Sequence, residues 1–117
     1  MTVLRIVADI ATKNSQQMEE FYKALFDLDV AMSLGWITTM ASTELSLAQL
    51  SFMSEGGSGA PIPDLSIEVD NVDDVYRRAQ GRGCDIPYEL TNEPWNVRRF
   101  FVVDPSGKIL NVLTHLG

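Results

Sequence analysis

The sequence predicts an α+β fold in which one strand–helix–strand–strand–strand module is written twice, giving curved mixed sheets with the helices outside. Three observations predict it. Apolar and polar residues alternate over 3–10 and again from Asp64 to Val69, and each strand leads into an asparagine and an amphipathic helix. Each helix is followed by three further strand candidates. Between the halves lies the only low-complexity stretch, SEGGSGAPIP at 54–63, which reads as a flexible connector. The expected organisation is a single domain, 1–117, with module one at 1–54, a glycine-rich joint at 55–63 and module two at 64–117.

The elements follow in order. Leu4, Ile6, Ala8 and Ile10 share one side of the first strand, and Val3, Arg5, Val7 and Asp9 the other. Asn14 or Ser15 caps the first helix, with Gln17 in capping-box spacing, and Met18, Phe21, Tyr22 and Leu25 form a stripe to lay on a sheet. Strands are expected at 29–34, 36–42 and 45–53, with turns at Gly35 and at 42–44. In the second module Leu65, Ile67 and Val69 alternate with Asp64, Ser66 and Glu68. Asn71 caps a helix striped by Val72, Val75, Tyr76 and Ala79, Asp73 and Asp74 sit in its first turn, and Gly83 ends it. Strands at 86–90, 97–104 and 108–115 close the module, the last two joined by a type I turn at Asp104-Pro105-Ser106-Gly107. Helix-facing strand residues are aliphatic and the opposite faces partly polar, so the fold should leave a polar cup.

Composition excludes several functions. The net charge of −7 leaves no basic face for nucleic acid or an anionic membrane, and no run of apolar residues is long enough to span a bilayer. The start, MTVLRIVADI, reads as a strand and not a signal peptide. One cysteine, Cys84, rules out an intrachain disulfide, lacks a histidine or lysine neighbour to activate it, and fits a cytoplasmic protein. A single histidine, His115, rules out a multi-histidine metal centre within one chain. The glycines at 56–59 lack the lysine and following helix of a phosphate loop, and no G-x-S-x-G is present.

Three segments, MEEFYKALFDL (18–28), LSIEVDNVDDVYRRAQGRG (65–83) and RRFFVVDPSGKILNVL (98–113), together resemble the vicinal oxygen chelate superfamily, which includes glyoxalase I, extradiol dioxygenases and bleomycin-resistance proteins. The resemblance implies two βαβββ modules, a homodimer, and pockets between modules that often belong to different chains. Catalytic members hold a divalent metal through four side chains, and the matching positions here are Val7, Gln49, Asp64 and Asn111. Valine cannot ligate, two positions offer neutral amides, and Asp64 is the sole anion, so no metal or other cofactor is expected, with a weak divalent site left open.

The resemblance thus implies a small-organic-molecule binding protein that lacks the family metal. Its alternatives are a divalent-metal lyase or isomerase using Gln49, Asp64 and Asn111, or a structural or regulatory subunit with a filled cup. Candidate ligand-binding residues are Arg5, Gln49, Asp64, Glu68, Trp95, Arg98 and Asn111. Arg5 either pairs an acidic ligand or is neutralised by Asp64 or Glu68. Trp36, Trp95, Phe52 and Tyr88 either wall a pocket, as rings do for planar drugs in resistance proteins, or pack at an interface. Trp95 resembles the family's Trp-plus-Arg loop beside the pocket. Only one of Arg98 and Arg99 can face the site. His115 is either a base at the rim or a solvated end residue.

Overall fold

The computed structural model describes residues 1–42 and 49–117. The predicted turn beyond Ser42 and positions 45–48 of the third predicted strand lie outside the described residues. The chain has an α+β fold, with eight strands and two helices among the described residues, and it divides into two compact units, Val7–Ile62 and Met1–Ile6 with Pro63–Gly117.

In the Val7–Ile62 unit, strand β1 (Val3–Ala11) enters with its second half, followed by helix α1 (Ser15–Phe26) and strands β2 (Asp29–Ser33), β3 (Ile37–Ala41) and β4 (Gln49–Met53). The strand order is β2-β3-β4-β1, with β1 parallel to β4 and the other pairs antiparallel. Register sorts the side chains. Asp9, Ser51 and Thr39 form one row, and Ile10, Phe52 and Thr38 form the next, on the opposite face. Phe52 lies under the helix, its ring 5.1 Å from that of Tyr22. Helix α1 begins as predicted, Asn14 Oδ1 accepting the Gln17 N–H at 3.0 Å. Its apolar stripe is wider than its contact with the sheet. Met18 and Tyr22 are half-buried, whereas Phe21 and Leu25 are 51% and 60% exposed.

Residues 54–62 correct the expectation of a flexible connector. The Gly56 N–H donates to the Ala60 carbonyl (3.0 Å), and the Ala60 N–H donates to the Gly57 carbonyl (2.9 Å). Gly57, Ser58 and Gly59 are left-handed, while Gly56, Gly57 and Ala60 are buried. A Cβ on Gly56 would lie 2.0 Å from the Pro61 carbonyl oxygen, so that position admits only glycine.

The second unit begins with the first half of β1 and continues through β5 (Leu65–Val69), α2 (Val72–Gly81), β6 (Tyr88–Glu93), β7 (Val97–Val103) and β8 (Ile109–His115). Its order is β1-β5-β8-β7-β6, with β5 parallel to β8 and the last three strands antiparallel. Thr2 and Asp70 tie β1 to β5 through two hydrogen bonds, Thr2 N–H to Asp70 Oδ1 (2.8 Å) and Asp70 N–H to the Thr2 carbonyl (3.1 Å). Asn71 caps α2 by accepting the Asp74 N–H at 3.1 Å, and Gly83 follows its end at φ 69°. Val69, Val72, Ala79, Phe100 and Val112 form the core between helix and sheet, each valine and the phenylalanine stabilising by about 1.5–3 kcal/mol on burial. The predicted turn closes with the Gly107 N–H on the Asp104 carbonyl (3.0 Å), and Asp104 Oδ1 accepts from Ser106 and Lys108.

Two expectations shift. Leu4 and Ile6, expected on a helix-facing side, stay 53% and 56% exposed, while α2 packs on β7 and β8. The strand expected at 86–90 runs at Tyr88–Glu93, and a bulge interrupts its register between Tyr88 and Thr91.

Candidate functional site

The sheet of the second unit has two chemically different faces. Phe100, Val112, Ile67 and Val102 meet α2. The other face carries two rows set by register: Ser66, Asn111, Phe101 and Tyr88, then Glu68, Leu113, Arg99 and Thr91. Because the bulge adds one residue, Tyr88 before it and Glu93 after it fall on the same face despite their odd separation.

Glu93 and Arg99 have side chains only 2% exposed. Arg99 Nε and Nη2 both donate to Glu93 Oε2, at 2.9 and 2.7 Å, and the Tyr88 hydroxyl donates to the same carboxylate at 3.1 Å. The guanidinium carbon lies 5.0 Å from the ring centres of Tyr88 and Trp95 and 4.9 Å from that of Phe101. Three ring faces and a carboxylate therefore replace the water that a buried cation loses. The turn at Glu93–Asn96, with Asn96 at φ 66°, delivers Trp95 to this stack.

A second polar group lies across the sheet. Glu68 accepts from Arg5 Nε at 2.5 Å and from His115 Nδ1 at 3.0 Å. An ionised carboxylate only accepts, so the His115 proton on this side sits on Nδ1. Burial raises the Glu68 pKa, but the hydrogen bonds and charges of His115 and Arg5 outweigh that and hold it below the ordinary range. Arg5 is thus neutralised within the chain, the second of its two sequence readings.

The remaining candidates separate. Asn111 is 7% exposed, its Nδ2 donates to Ser66 Oγ at 3.0 Å, and its Oδ1 takes no hydrogen bond from the described residues. Asp64 is exposed and spends Oδ2 on the Ile109 N–H at 2.8 Å. Gln49 belongs to the other unit, half-buried at the start of β4 and in register with Ala41. Arg98 corrects the candidate set. It lies on the α2 side, where its Nε donates to Asp73 at 2.8 Å and its Nη1 to Asn92 at 2.8 Å, so Arg99 is the arginine on the site face. The turn at 104–107 held the signal, since it places Val103 opposite Ile109 and hence Arg99 opposite Leu113. Glu93 was hidden by the bulge.

Residues 3–112 match the model of the Glyoxalase/Bleomycin resistance protein/Dioxygenase superfamily. The chain belongs to that superfamily. Solved structures carry the same glyoxalase-superfamily fold at low identity. One described as NAD-dependent benzaldehyde dehydrogenase from Legionella pneumophila has a TM-score of 0.75 at 22% identity, covering 94% of this chain and 98% of that one. Methylmalonyl-CoA epimerase from Mycobacterium tuberculosis has 0.75 at 19%, covering 97% and 89%. The Streptomyces coelicolor epimerase, bound to 2-nitronate-propionyl-CoA, has 0.71 at 15%, covering 99% and 100%. A comparison with the sequences of curated proteins finds no match.

At the four positions that the sequence resemblance matches to the family's metal ligands, the donor atoms are few. Val7 brings no donor atom, Gln49 and Asn111 bring neutral amides, and the one carboxylate, Asp64, already holds a backbone N–H. Among the described residues no three His, Cys, Asp or Glu side chains gather as a ligand group.

Proposed function

We propose that the chain binds a small organic molecule on the non-helical face of its second unit, without the metal of catalytic glyoxalase-superfamily members. The observation that carries this reading is Asn111. A ligand position of the family holds a buried amide with an acceptor unused among the described residues, on a face lined by aromatic rings. Titration calorimetry and thermal-shift measurements against planar antibiotics and other small aromatics test it, and no stabilisation by any of a broad panel would sink it. Metal content after purification without a histidine tag separates it from the lyase or isomerase alternative. A stoichiometric metal lost in Asp64→Ala would reverse the assignment.

The binding form is a homodimer in the cytoplasm. Exposed Phe21, Leu25, Phe26, Val30 and Met32 in the first unit support an interface, and the lone cysteine supports a reducing compartment. Light scattering that returned a monomer mass would remove the dimer.

A further inference from the structure

We infer that the ligand of this face is a neutral or cationic molecule that offers an N–H or O–H donor to Asn111 Oδ1, and that carboxylates and phosphates are rejected there. The inference rests on the binding reading above and narrows it to a chemical class.

Asn111 is held at one end of its carboxamide. Ser66 Oγ accepts from its Nδ2, and Phe101 is its register partner on β7. The other end is a buried carbonyl oxygen with less than 1 Å² of accessible surface and no donor from the described residues. A buried acceptor left unpaired destabilises a fold, and a partner that supplies the missing donor recovers that loss. A carbonyl oxygen cannot receive a second acceptor, which sets the ligand's polarity.

The charges on the same face point the same way. Its two arginines are both ion-paired, Arg5 with Glu68 and Arg99 with Glu93, and Asp64 adds a further carboxylate. An anion brought to Asn111 would meet a carbonyl oxygen near neutralised cations. Phe101 and Tyr88 continue the Asn111 row, so a ring is the natural body for the donor. Acyl-CoA compounds of the kind bound to the Streptomyces coelicolor epimerase carry phosphates, and the acceptor at position 111 disfavours such groups there.

The test is a matched phenyl series titrated into the intact protein and into Asn111→Leu. Benzamide, phenol and benzylamine carry a donor, whereas acetophenone and benzoate offer only acceptors. In the native protein the donors should bind about ten-fold or more tightly than the acceptors. Asn111→Leu should erase that preference. Turning the amide over would put Nδ2 in place of Oδ1 and reverse the series. Acetophenone or benzoate binding as tightly as benzamide overturns the inference. So does a preference that survives in Asn111→Leu. Absence of binding by any small molecule in the broad panel overturns instead the reading on which it rests.

Discussion

Arg99 and Glu93 have surrendered nearly all contact with water, so each charge depends on its partner and on the rings around it. Removing one partner strands the other. Glu93→Ala should cost about 3–5 kcal/mol, measured by urea unfolding, while Glu93→Leu with Arg99→Met should cost less because no charge is left alone. Equal losses in the two variants would show that packing, and not charge, holds this group. Glu68 governs a different property. Its pKa is depressed in the folded chain, so its contribution is full at pH above about 4.5 and is lost as acid takes the pH down through the lowered folded value. Glu68→Gln should therefore flatten the fall in melting temperature between neutral and strongly acid pH. Asp70 and Asp104, held low by a backbone hydrogen bond from Thr2 and by the Ser106 hydroxyl respectively, act in the same sense and remain in both proteins. An unchanged acid limb would count against the Arg5–Glu68–His115 network.

At the scale of elements, the turn at 54–62 makes the sharpest claim. Gly56→Ala places a methyl against the Pro61 and Ala60 carbonyl oxygens at 2.0 and 2.5 Å, both backbone atoms, and should destabilise by about 3 kcal/mol or more. Native stability in the alanine variant would mean that this loop has other conformations open to it. The same loop marks where reading the sequence fell short. Its glycines and serines suggested freedom, because composition cannot reveal that Gly56 and Ala60 are hydrogen-bonded to each other and buried. Regular elements were legible because periodicity and caps are local: Asn14, Asn71, Gly83 and Asp104 each do what their spacing implied. Face assignment was legible only where register stayed regular. The bulge after Tyr88 shifts phase by one residue, so it hid Glu93 and with it the partner of Arg99. The exposure of Leu4 and Ile6 was not legible, since strand alternation says which residues share a face and not what covers it.

For the whole molecule, family membership and fold rest on different grounds from ligand chemistry. The superfamily match and the solved relatives speak for the sheet and helices, while the residues at the family's ligand positions set what this chain could hold. The grouping of Met1–Ile6 with Pro63–Gly117 has a further consequence for dissection. A cut between Ile62 and Pro63 does not yield two self-sufficient fragments. The C-terminal fragment would lose the strand that supplies Arg5 to Glu68 and Thr2 to Asp70, leaving one edge of β5 bare. Expressed alone, residues 63–117 should show no cooperative melting. Mixed with residues 1–62, which carry the missing strand, they should regain it, as circular dichroism would record. Cooperative melting of the C-terminal fragment by itself would refute this. Melting regained only on mixing would make the chain a split-protein reporter in waiting, with Glu68 as the residue by which its reassembly strength is tuned.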